Sequence, residues 1–191
     1  TVGFRRSVME IMSKVATNTK NNLAEAFLKL YRIKPVEQIS VKEIAELAGY
    51  NRCTFYAYFD SVRDILNFAE GNLIEYVKNN ILKIPLNDNS ENVICKLAEI
   101  YAEKGDCLAI FLQNNNFIKR YKQILKPIFM KHKPFAALPK NTKTDILYEI
   151  SISAIIGGFN YWYTNRDKIP ADFFIMTLRT SLLDMLKNQS G

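Results

Sequence analysis

An all-α fold is what this sequence predicts, on three observations. Apolar residues recur with helical spacing, as at Leu23, Ala26, Phe27, Leu30 and Tyr31. No segment shows the strict alternation of a half-buried strand, and no internal repeat or low-complexity tract stands out. Helix starts and stops are written along the chain as caps, glycines and prolines.

Taken in order, the face from Leu23 to Tyr31 closes at Lys34-Pro35, because proline lacks a donor and disfavours helical geometry in the residue before it. The next stretch, ISVKEIAELAGYNRCTFYAYF, opens with Ser40 three residues before Glu43, a capping box that satisfies orphan amides at a helix start. Val41, Ile44, Ala45 and Ala48 then share a face, and Gly49 supplies a left-handed residue to end the helix. Asn51 caps a second, short helix, giving helix, tight turn, helix. Ser61 and Asp64 mark another start, for a helix expected to run to about Leu82. IPLNDNS, residues 84–90, is a break. Three or four helices are expected beyond it, interrupted near Asn114–Asn116 and at Pro127, Pro134 and Pro139. Two long apolar helices, about 141–165 and 170–188, close the chain, with Pro170 suited to a first turn.

Composition narrows the function classes. With 48% hydrophobic and 24% charged residues, a soluble globular protein is expected. The net charge of +7 suits a polyanionic partner, yet residues 1–80 hold eleven basic against nine acidic side chains. Most of the excess lies later: no acidic residue falls between Asp106 and Asp145, where Lys119, Arg120, Lys122, Lys126, Lys131, Lys133, Lys140 and Lys143 cluster. This segment, 119–143, reads as a solvated basic surface or as a site for an anionic effector or acidic partner. Cys53, Cys95 and Cys107 are odd in number and widely spaced, which argues against a disulfide framework or zinc site and for a reducing, cytoplasmic setting. The opening TVGFRRSVMEIMSK carries charges where a signal peptide needs an apolar run, and the longest uncharged run, 150–165, is too short to span a bilayer.

Catalytic chemistry finds little purchase. His132, the single histidine, sits in MKHKPF and is expected in a solvated loop, so no Ser-His-Asp or Cys-His set assembles and no metal or cofactor is expected. A small-anion enzyme using 119–143 is the remaining enzymatic alternative; it lacks a P-loop. Cys95 and Cys107 are expected to fill core space, and Cys53 to be a small residue on an exposed helix face.

The tight helical pair carries the functional reading. A small residue at Ala45 lets the helices cross closely, Gly49 makes the turn, and Phe55 anchors the second helix in the core. Such a turn makes the second helix protrude, which suits a major groove. Phe55 and Phe59 lie four apart and face inward; Arg52, Cys53, Thr54, Tyr56, Ala57 and Tyr58 lie around the rest. Arg52, near the helix start, is the best base reader, since guanidinium pairs bidentately with guanine. Thr54, Tyr56 and Tyr58 read as phosphate contacts, with Lys42 near the backbone. Ser40 and Asn51, at the two helix starts, belong to the same DNA-facing set.

At this point the chain resembles a family. T-K-x-x-L-x-x-A-F-x-x-L-Y from Thr19 to Tyr31, followed by ISVKEIAELAGYNRCTFYAYFDS, is similar to the N-terminal domain of tetracycline-repressor-type (TetR family) transcription regulators. The likeness covers about Thr19 to Leu66: the I-A-x-x-A-G core, the T-F-Y-x-Y-F helix and the D-S-x-x-D-I-L continuation agree in order and spacing. It implies that Thr54, Tyr56 and Tyr58 contact phosphate and that Arg52, Cys53 and Ala57 face bases. Where many members carry a lysine, this chain has Val62, with Arg63 beside it as the substitute.

The resemblance further implies a three-helix helix-turn-helix head over residues 1–66 and a larger helical effector-binding and dimerisation domain over 67–191. Residues 1–18 are either a flexible basic arm or an extension of the first helix. The expected partners are double-stranded DNA bearing a pseudo-palindromic operator, a second copy of the chain, and a small-molecule effector, with no membrane. The last two helices would build a four-helix dimer interface, with Ser153, Ala154, Gly157 and Gly158 allowing close approach and Trp162 as an interface or core ring. Phe111, Phe117 and Tyr121 are candidates to line an effector cavity. The implied function is a repressor released by its ligand, the alternatives being control by a protein partner or activation.

Overall fold

The computed structural model describes residues 2–84, 90–132 and 135–187, and among these it contains eight α-helices and two short 3₁₀ helices. The chain divides into two compact units, Thr1–Asn72 and Leu73–Gly191.

The first unit begins with α1 (Val2–Tyr31), a helix of 30 residues. No proline interrupts it, and the hydroxyls of Thr17 and Thr19 return to carbonyls four residues back, at 2.9 and 3.0 Å. Residues 2–18 therefore extend the first helix rather than forming a flexible arm. Burial starts at Thr19 and continues through Leu23, Ala24, Ala26 and Phe27, whereas Met12 and Val15 are exposed. After a 3₁₀ helix (Val36–Gln38) come α2 (Val41–Leu47), α3 (Arg52–Tyr56) and α4 (Val62–Leu82). Ile44, Ala45, Phe55, Phe59 and Ile65 complete the core of the unit. Burying each large side chain contributes about 1.5–3 kcal/mol, which is how so short a helix as α3 is held. Ser61 starts α4 as expected, its hydroxyl accepting from the Asp64 amide at 3.2 Å. The helix carries the chain from one unit to the other, with residues 62–72 in the first and 73–82 in the second.

The second unit continues with α5 (Ser90–Phe111), α6 (Asn115–Phe129), a 3₁₀ helix (Phe135–Ala137), α7 (Thr142–Thr164) and α8 (Ala171–Lys187). The expected break at 84–90 falls mostly on residues 85–89, outside the described residues, as does Pro134. Asn114 caps α6, accepting from the amides of Asn116 and Phe117, so that interruption is where the sequence puts it. Pro127 is not an interruption. It lies in the last turns of α6 with its ring exposed, where a missing donor forfeits a single ladder bond and the helix continues to Phe129. Two α-helices and one 3₁₀ helix thus stand among the described residues between 90 and 137, the lower end of the three or four helices expected.

His132 departs most from expectation. It is 3% exposed, with Nδ1 2.9 Å from the Ile128 carbonyl and Nε2 3.4 Å from the Ile84 carbonyl. It joins the end of α6 to Ile84, two residues past α4; its lysine neighbours in sequence disguise an inward-facing ring. Cys107 is half-buried rather than a core filler, and the Cys95 side chain lies outside the described residues.

Candidate nucleic-acid interface

The α2–α3 turn is built by local bonds within a dozen residues. Ser40 caps α2 as a complete capping box: its hydroxyl accepts from the Glu43 amide, and the Glu43 carboxylate accepts from the Ser40 amide at 3.0 Å. Lys34 donates to the same carboxylate at 2.6 Å. That hydrogen bond, with those from the Ser40 amide and hydroxyl, lowers the Glu43 pKa from 4.5 to about 2. At the other end the Tyr50 amide reaches back to the Ala45 carbonyl at 2.8 Å and the Gly49 amide to that of Glu46 at 3.1 Å. This is a Schellman closure, and Gly49 takes its left-handed position with φ +77°. Asn22 of α1 donates to the Tyr50 hydroxyl at 3.1 Å, tying the turn to the first helix.

Asn51 then caps α3, accepting from the Thr54 amide at 2.8 Å and from its hydroxyl at 3.1 Å. Phe55 is fully buried, its ring 5.7 Å from that of Phe59, which in turn meets Phe68 at 5.3 Å. With that side of the helix fixed inward, the other is turned out. Arg52, Cys53 and Ala57 are exposed, Tyr56 is 57% exposed, and Thr54 and Tyr58 are half-buried. Arg52 and Arg63 form no ion pair among the described residues, so both guanidiniums are available to an anion. Lys42 lies 3.7 Å from Glu46 with both side chains more than half exposed, a contact that solvent weakens.

The ten predicted DNA-facing residues thus sort by their present duties. Ser40 and Asn51 use side-chain oxygens as caps, and Thr54 spends its hydroxyl on Asn51. Lys42, Arg52, Cys53, Tyr56, Ala57 and Arg63 present themselves to solvent, and Tyr58 does so in part. Val62, at the position where a lysine was expected, is half-buried at the start of α4.

The other predicted residues lie in the second unit. Phe111, Phe117 and Tyr121 are buried and stack in sequence, with centroids 5.2 and 5.8 Å apart. None of them lines the cleft of about 400 Å³ found between Met130, Phe135, Leu138, Lys140, Asn141 and Thr144. On α7, Ser153, Ala154 and Gly157 are exposed, and a Cβ at Gly157 would meet nothing within 4 Å. Gly158 and Trp162 are used inside the chain. A Cβ at Gly158 would sit 3.5 Å from Phe174 and 3.6 Å from Leu178 of α8, while Trp162 stacks on Phe174 at 5.3 Å and donates to the Ile169 carbonyl at 3.0 Å. Sequence reasoning missed the large apolar side chains that α7 and α8 leave exposed: Ile146, Ile150 and Tyr161 on the first, Phe173 and Met176 on the second. Their spacing, read together with that of Ala154 and Gly157, carries the signal.

The basic segment is partly neutralised. Lys122 pairs with Glu149 at 2.9 Å and Lys126 with Asp145 at 2.8 Å, both across to α7. Among the described residues no three His, Cys, Asp or Glu side chains gather as a metal ion requires, and no helix is long and apolar enough to cross a membrane.

No protein-family model matches the sequence, and no curated protein matches it. Solved structures do. A tetR-family transcriptional regulator from Streptomyces coelicolor superposes with a TM-score of 0.68 at 16% identity, over 85% of this chain and 80% of that one. The fatty acid degradation regulator FadR from Bacillus halodurans gives 0.66 at 16%, over 86% and 94%. NalD, the secondary repressor of the MexAB-OprM multidrug efflux pump in Pseudomonas aeruginosa, gives 0.66 at 18%, over 90% and 96%. The capped turn, the buried Phe55 and the helices that follow are therefore arranged in the all-α fold of TetR-family transcriptional regulators.

Proposed function

We propose that this chain is a dimeric, sequence-specific DNA-binding regulator, a repressor released by a small-molecule ligand. One observation carries the reading: a turn locked by two caps and a left-handed glycine presents Arg52, Cys53 and Tyr56 to solvent while Phe55 holds the same short helix from behind. That is the geometry of a helix meant for a major groove, its N-terminal residues reaching base edges and its flanking hydroxyls and cations reaching phosphate. The neighbours of like fold support it, each named a regulator and one a repressor.

The exposed apolar side chains of α7 and α8 support the dimeric part of this reading. Ile146, Ile150, Ala154, Gly157 and Tyr161 recur along one side of α7, and a second copy burying them against Phe173 and Met176 makes a four-helix contact. Ser153 belongs at its edge, where its hydroxyl accepts from Lys122 at 2.7 Å. Gly158 and Trp162 support this surface from within. Two heads so joined read half-sites about one helical turn apart, or a multiple of it. A ligand releases DNA only through its differential affinity for two head spacings.

Selection of bound fragments from a random duplex pool, followed by anisotropy titrations over a salt series, tests the proposal. Recovery of a palindromic site with affinity falling steeply in salt is expected. On that site Arg52→Ala costs roughly 1–3 kcal/mol and relaxes specificity at one base pair, whereas Tyr58→Phe weakens all duplexes about equally. Flat salt dependence, or no preference over random duplex, refutes the regulator reading.

A further inference from the structure

The polar side chains buried in the second unit divide into those with a partner and two without. His132 meets two carbonyls, Thr144 donates to the Pro139 carbonyl at 2.6 Å, Ser151 to that of Leu147 at 2.8 Å, and Tyr148 to that of Lys122 at 2.6 Å. The hydroxyls of Tyr101 on α5 and Tyr121 on α6 have no hydrogen-bond partner among the described residues, although both rings are fully enclosed. Burial raises both pKa values well above that of a free phenol, and the two hydroxyls lie near enough to act on each other as a poorly aligned pair, short of a well-formed hydrogen bond. Both therefore keep their protons at any physiological pH, and since one hydroxyl can at best donate to the other, at least one O–H is left without an acceptor. A hydroxyl left over in this way costs about 1–3 kcal/mol, which makes the pair an anomaly in a core otherwise satisfied.

The surroundings define what would complete them. Phe159 stacks on Tyr101 at 4.2 Å, and Phe117 on Tyr121 at 5.8 Å with Phe111 beyond. No lysine, arginine or carboxylate is buried among the described residues of this unit. A carboxylate brought between the two phenols would lose its water without meeting a counter-charge, at a cost well above that of a neutral carbonyl.

We propose that Tyr101 and Tyr121 are the polar clamp of the effector site, and that the effector is an apolar molecule bearing a neutral carbonyl-type acceptor. This rests on the ligand-responsive reading above and gives that ligand a chemical class. The rings around the hydroxyls are packed on one another, so the acceptor reaches them by displacing those rings rather than through an open channel. Binding and repacking of α5, α6 and α7 are then one event, which supplies the difference between states that release requires.

The test uses the full chain without DNA, so its failure is distinct from failure of the DNA-binding reading, which the operator selection decides alone. Acetophenone and 2-octanone are titrated calorimetrically against benzoate and octanoate, with wild type, Tyr101→Phe, Tyr121→Phe and the double variant. A ketone should bind and its matched carboxylate should not, and each single variant should weaken the ketone by roughly tenfold, the worth of one buried hydrogen bond. Without ligand the melting temperature of each variant should be unchanged or raised by up to about 4 °C, because an unpartnered hydroxyl is being removed. The proposal is overturned if neither ketone binds, if a ketone binds wild type and double variant equally, or if the carboxylate binds better. A melting temperature lowered in either variant overturns it too, since the hydroxyls then have a partner already, such as a trapped water.

Discussion

Gly49 offers a measurement in which steric contact plays no part. Its φ of +77° places it where L side chains are strained, and a Cβ built on it meets nothing within 4 Å. Gly49→Ala therefore carries the backbone term alone, a destabilisation of about 1–2 kcal/mol. Gly71 is the control: it too has nothing within 4 Å of an added Cβ, but it lies inside α4 without a positive φ. There the same substitution removes the entropic cost of glycine in a helix and stabilises by roughly 0.5–1 kcal/mol. Two identical changes should thus move stability in opposite directions and stand about 1.5–3 kcal/mol apart. Urea denaturation at one fixed protein concentration measures both, the concentration being held because association adds to apparent stability. Gly49→Asn should fall between wild type and Gly49→Ala, since asparagine tolerates the left-handed region better than alanine. If Gly49→Ala proves neutral, or if Gly71→Ala is as damaging as Gly49→Ala, the left-handed residue is not what closes the α2–α3 turn.

Three further outcomes follow from particular contacts. Because Lys34 and Ser40 lower the folded pKa of Glu43 from 4.5 to about 2, its contribution is present above pH 4.5 and is lost as pH falls towards 2. Acid titration followed by circular dichroism should show that decline in wild type and a shallower one in Glu43→Gln; equal slopes refute the assignment. Phe55→Ala removes the buried ring that anchors α3 and should cost about 3–5 kcal/mol, with operator binding lost even at temperatures where the rest of the chain stays folded. Ile150→Asp places a charge on the exposed apolar side of α7, and sedimentation should find a monomer that binds operator far more weakly; an intact dimer moves the interface elsewhere.

What the sequence made legible, and what it hid, follows from the range over which each feature is encoded. The capping box at Ser40, the turn at Gly49 and the caps at Asn51 and Ser61 are each specified within three or four residues, and each forms where it was read. The end of α4 at Leu82 and the bounds of α7 and α8 are similarly local. The errors concern what packing covers. His132 stands among lysines in sequence, and only the carbonyls of Ile84 and Ile128 show that it turns inward. Pro127 breaks a helix when its missing amide falls in the interior and not when it falls on an exposed last turn. Gly158 and Trp162 are a different case, not an error: both read in sequence as places of close approach, and within this chain Phe174 meets both and Leu178 meets Gly158. Small residues announce that something approaches closely, and only the fold says which surface does.

The same distinction decides how charge is to be read. By count, the positive surplus points to residues 119–143 and away from the head. In three dimensions Lys122 and Lys126 of that segment are held by Glu149 and Asp145. The head has far less excess charge, but it keeps Arg52 and Arg63 exposed and outside any ion pair among the described residues, beside a helix start held by Asn51. A phosphate or a guanine edge responds to the donors it can reach and not to a sum over the chain, so the proposed function does not require the head to carry the surplus charge. Lys34 makes the point within the head itself: it too is a cation in the right region, and its bond to Glu43 at 2.6 Å assigns it to holding the turn. The cations available for recognition are those that the caps leave over.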